Sequence, residues 1–209
     1  TVDGSDVGAI EYENFNAASG TVIVHGLNVH PGSAKNKMRN ASLVAMEFAG
    51  MLPPAETPAH TEGYEGFFHL CDMQGDEERA ELHYIIRDHD RAHFESRKQA
   101  FKRIGAYLND KYGSGVVETI VKDSYCNMRE IMERHMDVIE RAESAYRAVG
   151  VNPYAEAIRG GTDGARLSFM GLPCPNLATG GMNYHGRFEC IAIQDMDTMA
   201  DMLVHLVEV

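Results

Sequence analysis

Apolar and polar residues along this chain change period several times, and the changes mark its elements. Ala9–Phe15 reads as a strand, and Gly20–Leu27 (GTVIVHGL) alternates apolar with polar positions at the two-residue period of a half-buried strand. His25 within it suits the solvent face. From Ala34 to Met51 the period lengthens. Met38, Ala41, Ala45, Phe48 and Ala49 recur at three- and four-residue steps, which predicts a helix capped by Ser33 and stopped by Pro53-Pro54. A polar loop over Ala55–Gly66 separates it from two strands, Phe67–Met73 and Arg79–Arg87, that turn through Gln74–Glu78. Asp90–Lys111 is a long helix with Phe94, Phe101, Ile104 and Leu108 on one face, and Val116–Lys122 is another strand. The order from Gly20 to Lys122 is β-α-β-β-α-β. That is the ferredoxin-like split pattern, a four-stranded antiparallel sheet with two helices on one face.

Beyond it the pattern alternates differently. Glu130–Val149 reads as a helix broken near His135, Tyr154–Ile158 as a short strand, and Asp163–Met170 as a short helix. Cys174–Leu177 is a buried strand, and Asp195–Val207 a closing helix with Met196, Met199, Met202, Leu203 and Leu206 inward. Such alternation predicts the edge of an α/β sheet. The expected organisation is a strand end at 1–12, a ferredoxin-like α+β domain at 13–123, and the remainder of an interrupted α/β domain at 124–209. Two or three strands are few for a parallel sheet, so that α/β domain reads as incomplete, and in isolation it is expected to be unstable or rearranged.

Composition narrows the function classes. With 44% hydrophobic residues in 209 the chain can bury a core, while a net charge of −12 argues against binding a phosphate backbone, and so against a nucleic-acid partner. No apolar run approaches the ~20 residues of a membrane helix, and the opening TVDGSDVGAIEYENF has neither the basic nor the apolar region of a signal peptide. Cys71, Cys126, Cys174 and Cys190 lie far apart without a CxxC, as expected of reduced thiols. The expectation is a cytoplasmic protein without a membrane partner.

Candidate chemistry gathers in Ile158–Glu189 (IRGGTDGARLSFMGLPCPNLATGGMNYHGRFE), where two glycine clusters flank an Arg, an Asp and a His. Clustered glycines mark turns or close backbone approach, and loops at a sheet edge are where sites are built. His185 in Asn-Tyr-His-Gly suits a metal ligand or general base, or a plain surface histidine. Arg159 before Gly-Gly suits bidentate carboxylate recognition, or a surface ion pair; Arg87 has the same two readings. Thr162 or Asp163 opens a helix as a cap or an anion site. Asp3 before Gly4 reads as a turn residue or a ligand, and His30 sits on a loop stiffened by Pro31 and Gly32. No GxSxG, P-loop, GxGxxG or HExxH occurs. Asp3 and His185 alone are too few to hold a catalytic zinc.

Longer motifs carry a resemblance. Val29–Ala41 (VHPGSAKNKMRNA), Thr61–Phe67 (TEGYEGF), His83–Asp88 (HYIIRD), Asp123–Glu130 (DSYCNMRE) and the opening stretch resemble the peptidase T family. These are aminotripeptidases of the co-catalytic di-zinc aminopeptidase/aminoacylase superfamily. The likeness spans the whole chain but only the C-terminal half or so of such an enzyme. It implies a lid/dimerisation domain inserted in a zinc-peptidase α/β domain, two zinc ions per complete site, a tripeptide substrate and a homodimer formed through the lid. Asp3 resembles the carboxylate ligand of one zinc and His185 the histidine ligand of the other. His30 resembles a catalytic lid histidine that reaches the partner's active site, where it would stabilise an oxyanion. Arg87 and Arg159 resemble arginines that bind the substrate carboxylate, and Asn183 with Gly180–Gly181 shapes the same pocket. The family's His-x-Asp motif, bridging Asp and Glu-Glu pair are missing, so this stretch alone is expected to be inactive. A non-catalytic dimerisation module, or a segment of a related di-zinc dipeptidase or aminoacylase, are the competing readings.

Overall fold

The computed structural model describes residues 1–208 and opens with two consecutive strands, β1 (Ala9–Asn14) and β2 (Asn16–His25). They belong to different units, one of Asn16–Ser124 and the other of Thr1–Phe15 with Tyr125–Val209.

In the first unit α1 (Ala41–Met51), β3 (Phe67–Gly75), β4 (Arg79–Asp88), α2 (Arg91–Tyr112) and β5 (Val117–Tyr125) follow β2. The sheet order is β3-β4-β2-β5, the ferredoxin-like order, with β4 antiparallel to both β2 and β3. Alternation along β4 assigns its faces. Ala80, Leu82, Tyr84 and Ile86 are buried with Phe48, Phe94, Phe101 and Leu108 of the helices, while Glu81, His83, Ile85 and Arg87 occupy the other face. Phe101 lies edge-on to Phe48 and Tyr84, with ring centres 4.9 and 5.4 Å away. Burial pushes the Tyr84 hydroxyl up to about 12.

The first helix departs from the pattern. It begins at Ala41 rather than Ala34, capped by Asn40, whose side chain accepts from the Leu43 N–H, and not by Ser33. Leu27 and Arg39 exchange two backbone hydrogen bonds of 2.7 and 3.0 Å, closing residues 28–38 into a loop that holds only the 3-10 turn Pro31–Ser33. Asn36 at φ +59° cannot continue a right-handed helix.

In the second unit β1 pairs in parallel with β6 (Tyr154–Ile158) and antiparallel with β7 (Asn176–Leu177), in the order β6-β1-β7. Helices α3 (Arg129–Met132), α4 (Met136–Ala148), α5 (Asp163–Phe169) and α6 (Ile193–Glu208) accompany them, with a two-residue ladder of β8 (Gly181–Met182) and β9 (Cys190–Ile191). The helical break at His135 falls between α3 and α4. Ile10, Met128, Met132, Ile139, Tyr146, Leu177, Met199 and Met202 form the core. Met196, expected inward, is 51% exposed, because only the Met199 and Met202 side of α6 meets that core. No helix among the described residues is long and apolar enough to cross a membrane.

Candidate metal and substrate site

Asp3 sits where the chain runs beside β7. The Leu177 N–H donates to Thr1 O (2.8 Å) and the Asp3 N–H to Leu177 O (3.1 Å). Asn176, only 1% exposed, anchors this strand end: its Nδ2 donates to Asp3 O and to a Glu11 carboxylate oxygen, 2.5 Å each, and its Oδ1 accepts from Thr1 Oγ1 at 2.9 Å. All the bonds of this buried amide are therefore filled within the unit, which is how a polar group is tolerated inside. Gly4 (φ +79°) and Ser5 (φ +66°) then reverse the chain in the left-handed region.

His185 stands on the loop between β8 and β9. Asn183 and His185 are both left-handed, at φ +59° and +60°, although neither is glycine. Such residues cost of order 1 kcal/mol each and concentrate at functional turns. The loop binds itself: Asn183 Nδ2 donates to Phe188 O, the Gly186 N–H to Asn183 O, and the His185 N–H to Glu189 Oε2. The two turns are stitched together. The Thr179 N–H donates to Gly4 O (2.7 Å), the Gly180 N–H to Ser5 O (3.0 Å) and Tyr184 Oη to Ser5 O (3.2 Å). Asp3 and His185 thus flank residues in direct contact, and both are exposed.

Arg159 directly follows β6 in the same unit, its guanidinium 5.2 Å from the centre of the buried Phe15 ring. The Phe15 N–H donates to Gly160 O, and a Cβ on Gly161 would lie 2.7 Å from the Tyr125 ring, so this glycine is needed for close approach. Thr162 rather than Asp163 caps α5, its hydroxyl accepting from the Gly164 N–H. In the other unit, Arg87 donates to the carbonyls of Ala18 and Ile86. His30 is exposed on its closed loop, and its Nδ1 accepts from the Gly32 N–H at 3.1 Å. The neutral ring therefore carries its proton on Nε2.

Two residues of this site were not singled out from the sequence, Asn176 and Glu11. Glu-Tyr-Glu in a strand reads as a polar outer face, yet Glu11 is buried. Burial pushes its carboxyl above the ordinary 4.5, opposed by the Asn176 hydrogen bond and reinforced by Glu156 and Asp3. A carboxyl with a raised native pKa holds its proton more tightly when folded. Its contribution is complete below 4.5 and is lost as pH rises through the native value. Glu11→Gln keeps an acceptor for Asn176 and cannot ionise. The variant should be more stable than the parent near neutral pH and converge on it in acid, as read by urea denaturation across pH. Two parallel profiles would contradict this.

Zinc accepts carboxylate and imidazole but needs a fuller set of ligands than a pair. Among the described residues no group of three or more His, Cys, Asp or Glu side chains is arranged to hold an ion. Asp3 and His185 are donors of the types zinc accepts, on turns fixed to each other, and among the described residues no further side chains complete a ligand set. All four cysteines are free thiols.

The peptidase dimerisation domain matches residues 12–116, and the chain belongs to that family. Along its whole length it is 54% identical to Peptidase T of Caldanaerobacter subterraneus over 208 residues, and 53% identical to Peptidase T of Clostridium perfringens over 209. It spans about half the length of these relatives, 51% and 52%. The fold is that of a tripeptidase from Staphylococcus aureus (TM-score 0.85, 17% identity, 99% of this chain and 54% of that one). Aminopeptidase PepT from Bacillus cereus has it too (TM-score 0.82, 20% identity, 99% and 55%).

Proposed function

We propose that this chain is the lid and part of the catalytic domain of a zinc-dependent aminotripeptidase, which removes the first residue of a tripeptide by metal-activated water. The observation that carries the reading is the stitched pair of turns bearing Asp3 and His185, in a chain 54% identical over its length to a Peptidase T. Asp3 and His185 would each hold one zinc ion. Bound there, the ions supply a water nucleophile at neutral pH and polarise the scissile carbonyl. Arg159 offers a planar fork of donors for the substrate carboxylate, its orientation supported by the Phe15 ring. Arg87 and Asn183 are the other candidates for substrate binding in this reading, although the hydrogen bonds described for them serve Ala18, Ile86 and Phe188. His30, with its proton on Nε2, would donate to the oxyanion of the partner subunit's site. The cytoplasm is the compartment that fits a chain whose four cysteines are all free. The test is to join the chain to the half of a Peptidase T that it lacks and assay tripeptides with added zinc. Tripeptide cleavage is expected; no hydrolysis, or equal cleavage of long peptides, would sink the reading.

The competing reading, a non-catalytic dimerisation module, draws on the absence of a complete ligand group in the described residues; size-exclusion chromatography with a zinc titration addresses it, because a pure module should dimerise and bind no zinc specifically. Both readings need a self-association surface, and one edge of the sheet offers it. The register shift in β3 between Leu70 and Asp72 places Leu70 opposite Tyr84 and Met73 opposite Leu82, both core-facing. Leu70 and Met73 therefore lie on the helical face of an edge strand, 36% and 40% exposed. The start of α1 is tied to the same edge, because the Ala41 and Ser42 N–H groups donate to Glu77 O and Asp76 O. Leu43 (64% exposed) and Met46 (59%) lie on the outward side of that helix, opposite its buried Val44 and Phe48. An apolar edge of this kind marks an interface. Leu43→Lys with Met73→Lys should weaken the dimer by about 10–100-fold, read by sedimentation or light scattering, with circular dichroism checking the fold. An unchanged dimer would move the interface elsewhere.

A further inference from the structure

We propose that Tyr184 is a positioning residue that locks the His185 turn against the Asp3 turn; its consequence for zinc rests on the reading of those two residues as ligands, while its geometry does not. Its hydroxyl lies in a continuous chain of hydrogen bonds. The Gly181 N–H donates to Thr179 Oγ1 (3.2 Å), Thr179 Oγ1 and Tyr184 Oη lie 3.1 Å apart, and Tyr184 Oη donates to Ser5 O (3.2 Å). With the tyrosine proton on Ser5 O, the threonine hydroxyl must donate to Oη, so every link has one direction. Bonds in such a chain polarise one another.

The ring, 42% exposed overall, is packed on one side as well as tethered. A Cβ on Gly181 would stand 2.8 Å from both Cε1 and Oη, and one on Gly4 3.9 Å from Cζ. The ring lies along Gly181, which is not in the left-handed region and has no conformational need to be glycine. Its missing side chain is explained by Tyr184. Gly180 is different, being left-handed at φ +81° and crowded by Val7 and Asp195. Tyr184 is also the one residue between Asn183 and His185, both held left-handed. Anchoring its ring fixes where the His185 backbone begins, and anchoring Ser5 O fixes the turn that follows Asp3.

The test has two arms. In the 209-residue chain, amide hydrogen exchange at Thr179 and Gly180, whose N–H groups join the turns, should quicken by about tenfold in Tyr184→Phe. Gly181→Ala, which displaces the ring, should do the same. Because both lose the same bonds, the double variant should exchange no faster than either single one. Unchanged exchange in the single variants, or additive effects in the double, overturns the lock. The second arm uses the chain joined to the missing half and measures zinc affinity by competition with a chelator. Tyr184→Phe should weaken it by about tenfold, the usual effect of losing a residue that orients a ligand, with kcat at saturating zinc within about twofold. His185→Ala is the reference. If His185→Ala weakens zinc binding and Tyr184→Phe does not, the positioning role is wrong. If neither does, the ligand reading is wrong and the consequence for zinc falls with it, and the exchange arm alone decides whether the lock is real.

Discussion

In the joined enzyme, His30→Ala should lower kcat by about 10²–10³ while leaving KM nearly unchanged. A single preorganised donor to a developing oxyanion contributes that much, and it acts in the transition state rather than on the bound substrate. The preorganisation is visible around His30. The Gly32 N–H occupies Nδ1, which puts the proton on Nε2, and a Cβ on Gly32 would come within 3.1 Å of the ring. The exchange of backbone bonds between Leu27 and Arg39, with Arg39 Nη1 donating to Tyr112 O at 3.0 Å, fixes the loop ends to the scaffold. If His30 serves the partner's site, two inactive variants should rescue one another. Mixing His30→Ala with His185→Ala chains lets subunits exchange. Half the dimers are then mixed, each with one intact site of two, so about a quarter of the parent rate should return. Rates that stay at the level of the separate variants would mean that His30 acts within its own subunit, or not at all.

How much of this could be read from the chain differs between the fold and the site. The ferredoxin-like sheet was legible because alternation on β4 is strict and because Phe94, Phe101 and Leu108 keep helical spacing, signals local to each element. The start of α1 was not, because what stops the helix at Asn40 is the pairing of Leu27 with Arg39 and the left-handed Asn36. The first is tertiary, and the second has no signature beyond an asparagine that elsewhere sits well in a helix cap. Met196 was misplaced because it shares the helical spacing of Met199 and Met202, and spacing cannot tell where a neighbouring core ends. At the candidate site the residue types were legible and their company was not. The glycine clusters pointed to turns around His185, but the contact of that loop with Gly4 and Ser5 joins opposite ends of the chain. The buried Glu11–Asn176 pair is hidden for the same reason: a strand of alternating acids looks solvated until a second strand supplies the amide.

The largest stability change expected is at Phe101. Phe101→Ala should cost about 3–5 kcal/mol, the usual loss for an aromatic ring removed from a packed core. The ring is fully buried, edge-on to both Phe48 and Tyr84, and it fills the space above β2 at Gly20. Those two rings come from α1 and β4, so the hole would open where both helices meet the sheet. The chain has no tryptophan, so urea denaturation is followed by circular dichroism. A loss under about 1 kcal/mol would mean that the site collapses without a cavity. A companion variant checks the packing itself. A Cβ on Gly20 would lie 2.8 Å from the Phe101 ring, so Gly20→Ala alone overpacks the core and should cost about 1–3 kcal/mol. In a Phe101→Leu background the smaller side chain leaves room for that methyl, and Gly20→Ala should then be close to neutral. The two positions are in contact, so their effects must couple; equal costs in both backgrounds would show that the ring does not occupy the space that Gly20 leaves open.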